Sequence, residues 1–296
     1  MRRKKIIVIL GPTATGKSNL AVKISKIING EVISADSRQV YKDLNIGTGK
    51  ITRKEMKGVP HHLLDVANPK NKFTVAEYQK KAIYAMAEII KKGKAPIICG
   101  GTGFYIDAIT KGTMFPEVPP NLKLRKTLYS KSAIALFEYL KKLDPRRAKD
   151  IKNKNEQNNK VRLVRAIEIA KALGKVPKLK SDTFSAGAES VSPYEFIKIG
   201  LYLPPDELKK KIEKRVKKMF RDGLLNEIKK LKNTGISKKR LKELGFEYDS
   251  PTYEKVVSET IKYTKRQMTW FKRDKEIKWF DASKKIKLAK IIRVAF

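Results

Sequence analysis

An α/β fold, with a parallel sheet covered by helices on both faces and an all-helical insertion domain, is predicted by three features of this 296-residue sequence. Short β-branched runs alternate with helical patterns in the N-terminal part. A glycine-rich stretch, "GPTATGKS", joins the first run to the first helical pattern. From about residue 121 to 175 the pattern is helical throughout, and a β-rich run returns only after it.

The elements follow in order. Ile6 to Leu10 is a strand that stops at Gly11, and Leu20, Ile24, Ile27 and Ile28 then recur at helical spacing until Gly30. "EVISA" is a second strand. Thr74 and Glu77 form a capping box for a helix whose apolar face runs Tyr78, Ala82, Ala85, Met86 and Ile89, with Gly93 as its stop. "APIICGG" is a third, buried strand, and the alternation implies a parallel sheet. The helical stretch contains "ALFEYLKKL", a helix start at Asp144-Pro145, and "KVRLVRAIEIAKALG", closed by Gly174. "KSDTFSAGAESVSP" reads as a linker and "FIKIGLYL" as a strand returning to the sheet. Two long amphipathic helices complete the chain, Asp206 to Phe220 and about Tyr253 to Lys272. The expected division is a core of residues 1–114 and 191–296 and a helical insertion domain of residues 115–190.

Composition narrows the function. With 68 Lys+Arg against 30 Asp+Glu the net charge is +38, a field that attracts a polyanion, and nucleic acid is the first candidate partner. One cysteine, Cys99, excludes an internal disulfide framework and argues against a cysteine-based zinc site. "MRRKKIIVIL" imitates a signal peptide, but its apolar run ends at a Gly-Pro turn, so a cytoplasmic protein is expected. No stretch approaches the roughly 20 apolar residues of a membrane span.

"GPTATGKS" is Gly11, Pro12, Thr13, Ala14, Thr15, Gly16, Lys17 and Ser18. Between a strand and a helix it matches the P-loop, in which backbone amides and a helix N-terminus cradle phosphates, the lysine adds charge and the Ser18 hydroxyl can hold Mg2+. The core is therefore P-loop NTPase-like. The motif alone leaves open whether the bound group is a nucleotide or another diphosphate. Asp36, closing "EVISAD", stands either as a Walker-type magnesium ligand or as a base. His61 and His62 are adjacent and cannot converge on one ion from a helix or strand, so a hydrogen-bonding role is expected of them.

"GPTATGKS", "SADSRQVYKDLNIGTGK", "PHHLLDV", "PIICGGTGFYI", "VRLVRAIEI" and "TKRQMTWF" together resemble, in order, the successive motifs of the tRNA dimethylallyltransferase (tRNA isopentenyltransferase) family. The resemblance runs from about residue 5 to 281. It implies a prenyltransferase of tRNA modification. Such an enzyme moves a dimethylallyl group from dimethylallyl diphosphate to the exocyclic amine of the adenosine 3′ of the anticodon. An adenine amine is a weak nucleophile, which favours Asp36 as a base. Thr102, in "GGTG", is placed to orient the amine or the bridging oxygen. Arg215 matches the family's diphosphate-binding arginine. The target adenosine must leave its stack. Asp36, Ser37, Arg38 and Gln39 match the family's contacts to that nucleotide, and Arg125, Arg162 and Arg165 match positions where the family touches tRNA. "KELGFE" and "KRQMTWFK" match two further RNA-facing motifs, which add Gly245, Phe246, Lys265, Arg266 and Gln267. Helical spacing puts Arg162 and Arg165 on one face, away from the stripe of Leu163, Ile167 and Ala170. Trp270 and Phe271 suit either RNA stacking or core packing. The segment after "LGK", and Pro205 where the family commonly has an arginine, depart from the pattern. Mg2+, the anticodon stem-loop of tRNA and dimethylallyl diphosphate are the expected cofactor and partners, and the protein is expected to be a monomer. A P-loop RNA-binding nucleotide switch, and an isopentenyltransferase or kinase acting on free nucleotide, are the alternatives.

Overall fold

The computed structural model describes residues 4–113, 115–177 and 194–295. Its strands are β1 (Lys4–Leu10), β2 (Gly30–Ser34), β3 (His61–His62), β4 (Ala95–Gly100), β5 (Tyr194–Tyr202) and β6 (Lys278–Asp281). They form one sheet in the order β3-β2-β4-β1-β5-β6, with every neighbouring pair parallel. The third strand expected from the sequence is thus the fourth along the chain. β3 and β6 were not anticipated.

The N-terminal helices are α1 (Lys17–Ile27), α2 (Arg53–Met56), α3 (Val75–Lys91) and α4 (Gly103–Thr110). The insertion holds α5 (Leu122–Tyr129), α6 (Ala133–Leu143), α7 (Pro145–Asn153) and α8 (Lys160–Leu173). The C-terminal part adds α9 (Pro205–Arg221), α10 (Leu224–Asn233), α11 (Lys238–Leu244), α12 (Tyr253–Phe271) and α13 (Leu288–Ala295). The chain divides into two compact units, Met1–Gly112 with Phe184–Phe296, and Thr113–Thr183. The linker expected at 180–193 lies outside the described residues.

In the α/β unit, strand alternation sends side chains to two separate cores. Ile6, Val8 and Leu10 join Tyr78, Met86 and Ile89 of α3 on one face, while Ile7 and Ile9 join Leu20, Val22 and Ile24 on the other. A β-strand has a side-chain period of two, so a sheet buried on both faces needs a continuous apolar run such as "IIVIL". The capping box at Thr74 is formed, with the hydroxyl accepting from Glu77 N and the Glu77 carboxylate from Thr74 N. The Asx and Ser caps of the helical unit are formed too. Asp144 accepts from Arg147 N at the start of α7, and its second oxygen accepts from Val176 N at 2.8 Å.

On one side of β1 the chain runs to β2 and the edge strand β3 and returns to β4 beside β1, and on the other it runs outward through β5 and β6. The carboxyl ends of the adjacent strands β2, β4 and β1 bring residues 36–39, 101–102 and 11–18 to one edge of the sheet, where α/β folds bind ligands.

Candidate active site

Residues 11–18 wrap the start of α1, with Ala14 at φ 68° and Gly16 at φ 86°, so that the loop closes on itself. Thr15 donates its hydroxyl to Pro12 O at 2.9 Å, and Lys17 donates its ammonium to the same carbonyl at 2.5 Å. The protein strips solvent from Lys17 and lowers its pKa to about 8, although the Asp36 carboxylate pulls the other way. Beside it, burial pushes the Cys99 thiol up to about 12, leaving a neutral lining group.

A cleft of about 650 Å³ opens over this loop. Lys17, Ser18, Asp36, Glu55 and Arg215 line it, and Lys211, Lys214 and Lys218 of α9 extend its basic wall. The apolar stripe of α9, Ile212, Val216 and Met219, is buried and turns the Arg215 flank toward the cleft. Arg215 donates Nη2 to Thr48 O at 2.8 Å.

Asp36 ends β2 in a turn of its own making. Its Oδ1 accepts from Arg38 N at 2.9 Å and Gln39 N at 3.2 Å. Oδ2 takes no hydrogen bond among the described residues. One carboxylate oxygen thus fixes the geometry and the other is left to the cleft. Ser37 N donates to Thr102 Oγ1 at 3.0 Å, and that hydroxyl lies 3.3 Å from Ser37 Oγ. Although Thr102 occupies the N-cap position of α4, its side chain makes no cap bond there and serves the 36–39 turn instead.

Arg38 points away from the cleft floor. It donates to both oxygens of Glu247, at 2.7 and 2.5 Å, and its guanidinium sits 4.7 Å from the Phe246 ring centre and 5.2 Å from that of Tyr263. Burial raises the pKa of Glu247, and the charge of Arg38 opposes that rise. Gln39 reaches the carbonyls of Thr48 and Gly49, each at 3.4 Å. Gly245 ends α11 beside Arg38. Lys265 and Arg266 are exposed on α12.

Gln267 has an orientation that its place in a polar run did not suggest. It is buried, its Oε1 accepts from Thr13 N at 3.0 Å, and its Nε2 donates to Gly101 O at 2.8 Å. A Cβ on Gly101 would lie 2.5 Å from that amide nitrogen, so the glycine makes the junction possible. Gln267 therefore ties the phosphate loop to the end of β4. Trp270 donates to Asp107 at 3.1 Å and Phe271 is in the core, which resolves their two readings toward packing.

In the helical unit, Arg125 is bidentate on Glu168, Nε at 2.9 Å and Nη2 at 2.8 Å, and Arg165 donates to the same carboxylate. Burial disfavours the charged form of Glu168, but the bonds from Arg125, Asn121 N and Arg165 outweigh it and hold the carboxyl below its ordinary range. Arg162 pairs with Glu156. Helix α8 is buried around much of its circumference, from Leu163 to Ala170 apart from Arg165, so Arg165 lies closer to the core than a single apolar stripe implied.

His62 Nε2 lies 2.7 Å from Glu31 and His61 Nδ1 2.9 Å from Val59 O, at the edge strand β3. Among the described residues, no group of three or more His, Cys, Asp or Glu side chains gathers as a metal cluster.

Tyr263 and Glu247 were missed by sequence reasoning. Tyr263 is mostly buried, which raises the pKa of its phenol. It stands one helical turn before Gln267, and that i, i+4 spacing was the available signal.

The family model for IPP transferase matches residues 39–274. The tRNA dimethylallyltransferase of Halothermothrix orenii is 40% identical, over 94% of this chain and 88% of its own. The chain belongs to the IPP transferase family. A second relative, the tRNA dimethylallyltransferase of Anoxybacillus flavithermus, is 37% identical over 94% of this chain and 90% of its own. The crystal structure of the tRNA isopentenylpyrophosphate transferase from Bacillus halodurans superimposes with a TM-score of 0.68 at 34% identity, covering 99% and 95% of the two chains. A eukaryotic dimethylallyltransferase, captured acting on tRNA, gives 0.76 at 28% identity, over 94% of this chain and 74% of that one. IPP transferase membership and the α/β architecture agree with the reading of the motifs, and no helix among the described residues is long and apolar enough to cross a membrane.

Proposed function

We propose that this tRNA-modifying prenyltransferase transfers a dimethylallyl group from dimethylallyl diphosphate to the exocyclic amine of the adenosine 3′ of the tRNA anticodon. One observation carries the reading. A single cleft joins a phosphate loop, with Lys17 and Arg215, to a carboxylate oxygen of Asp36 that has no partner among the described residues.

The amine nitrogen attacks the first carbon of the donor, the bond from that carbon to the bridging oxygen breaks, and diphosphate leaves. Asp36 Oδ2 takes the proton that the amine sheds as its new bond forms. Charge growing on the bridging oxygen is met by Lys17, Arg215 and the loop amides, preorganised donors that need no rearrangement during reaction. Thr102, held on the 36–39 turn by Ser37, sits where it can orient the amine. The exposed Ser18 on the first turn of α1 suits Mg2+, which keeps most of its waters and needs few protein ligands beside diphosphate oxygens. The ion would neutralise charge on the leaving group. Arg38 to Gln39 and the arginines of the helical unit are the proposed RNA contacts. Membership in a tRNA-transferase family weighs against the switch and free-nucleotide alternatives.

The test is the mass of an unmodified anticodon stem-loop with a 3′-flanking adenosine, incubated with the protein, Mg2+ and dimethylallyl diphosphate without ATP. A gain of one dimethylallyl group is expected. Unchanged RNA, with added ATP consumed instead, would overturn the reading.

A further inference from the structure

Glu227, in α10, belongs to none of the groups described above, yet its buried carboxylate is saturated. Oε2 accepts from Asn45 N at 2.9 Å and Ile46 N at 2.7 Å, while Oε1 accepts from Gly47 N at 3.0 Å and from the Tyr248 hydroxyl at 2.9 Å. Every donor is neutral. An ionised carboxylate has about four acceptor positions, so all are in use and none is spent on a cation.

Three successive amides converging on one anion resembles a helix start, and residues 45–50 form a hydrogen-bonded turn. Gly49 N donates to Ile46 O at 3.0 Å, Lys50 N to Asn45 O at 2.9 Å, and the Thr48 hydroxyl to Leu44 O at 2.6 Å. Glu227 grips the amide end of this turn. At the carbonyl end, Thr48 O receives Arg215 Nη2 at 2.8 Å. Gly49, at φ +55°, is approached so closely that a Cβ would lie 2.1 Å from the same nitrogen. The motif "NIGTGK" thus reads physically as a turn whose amides meet a carboxylate and whose carbonyls meet a guanidinium.

We propose that Glu227 is a positioning residue for the diphosphate: by fixing the 45–49 turn, it fixes the guanidinium of Arg215 against the cleft. The inference rests on the reading of Arg215 as a diphosphate ligand. Glu227→Gln replaces one acceptor oxygen with a donor, which leaves buried amides unpaired and frees the turn to shift.

The experiment measures binding of inorganic diphosphate with Mg2+ by calorimetry for the full chain, its Glu227→Gln, Tyr248→Phe and Arg215→Ala variants, and the Glu227→Gln/Arg215→Ala double variant. KM for dimethylallyl diphosphate and for the anticodon stem-loop is measured alongside. Glu227→Gln is expected to weaken diphosphate about tenfold, the equivalent of one lost buried hydrogen bond, and to raise the donor KM while leaving the stem-loop KM within about twofold. Tyr248→Phe, which removes one donor of four, is expected to weaken diphosphate about threefold. In the Arg215→Ala background, Glu227→Gln should cost nothing more. Normal diphosphate binding by Glu227→Gln, or an equal loss in both backgrounds, would overturn the positioning role. Normal binding by Arg215→Ala would instead overturn the diphosphate reading beneath it. If Glu227→Gln fails to fold, Tyr248→Phe carries the test, and unchanged binding there contradicts the proposal.

Discussion

Two buried carboxylates, Glu227 of the α/β unit and Glu168 of the helical unit, are satisfied in opposite ways. In the α/β unit Glu227 is satisfied by main-chain amides and a phenol, so it consumes no positive charge, and Lys17 and Arg215 stay available to the cleft. In the helical unit Glu168 is satisfied largely by Arg125 and Arg165, so much of the local basic charge is spent on packing. A chain with a net charge of +38 therefore does not present its arginines uniformly. Although Glu247 of the α/β unit is itself held by Arg38, neutral dipoles hold Glu227 beneath the cleft and guanidinium groups hold Glu168 between helices. The helical unit needs this because its core, built around Leu136, Leu140, Leu163 and Ile167, is small.

The largest stability effect expected from this contrast is at Glu168. Glu168→Gln strands Arg125 beside a neutral amide, and breaking such a buried pair costs about 3 kcal/mol. Hydrogen exchange should speed up across α5 to α8 with the sheet amides of β1 and β4 unaffected. Uniform acceleration in both units would break the comparison.

The pH dependence of donor binding comes next. Lys17 has its pKa lowered to about 8, so it is charged at neutral pH and loses that charge as the pH rises through that value. Affinity for dimethylallyl diphosphate is expected to fall about tenfold between about pH 7 and pH 9, following the protonated fraction. Lys17→Arg keeps its charge and should flatten the profile. A flat profile in the unaltered protein would show that Lys17 does not face the anion.

The smallest effect is at the exposed pair of Arg162 and Glu156. Glu156→Ala is expected to change unfolding free energy by about 1 kcal/mol or less, as surface ion pairs do. A denaturant midpoint displaced as far as that of Glu168→Gln would erase the distinction between the two arginines.

Much of this was legible in the sequence, and the failures have physical causes. The run "IIVIL" followed by "GPTATGKS" announces strand, cradle and helix because apolar burial and phosphate binding both demand particular residues there. Strand β3 is only His61–His62, too short and polar to register as an apolar run, and its place is fixed by pairing with Val32 and Ile33 of β2. Helix α12 illustrates a subtler loss. Its inward stripe runs Val256, Thr260, Thr264, Gln267 and Phe271, three of them polar, so counting apolar residues alone misplaces Gln267 on the outer face. Thr260 and Thr264 satisfy their hydroxyls on Val256 O and Ile261 O of the same helix, which lets polar residues occupy a buried stripe. Glu227 was invisible for a related reason: nothing in "LLNEIKKL" distinguishes a glutamate that meets a distant turn from one that meets water.

The central claim is that Asp36 spends one oxygen on its turn and offers the other to a proton. Asp36→Asn isolates it, because the amide oxygen can still accept from Arg38 N and Gln39 N while the nitrogen cannot accept a proton. The measurement is the single-turnover rate of prenyl transfer to the anticodon stem-loop at saturating donor and RNA. We expect a fall of about 100-fold or more, the usual worth of a general base, with diphosphate and stem-loop affinities unchanged. An unaltered rate would contradict the base assignment, and a collapse of Mg2+ and diphosphate binding in its place would make Asp36 a metal ligand.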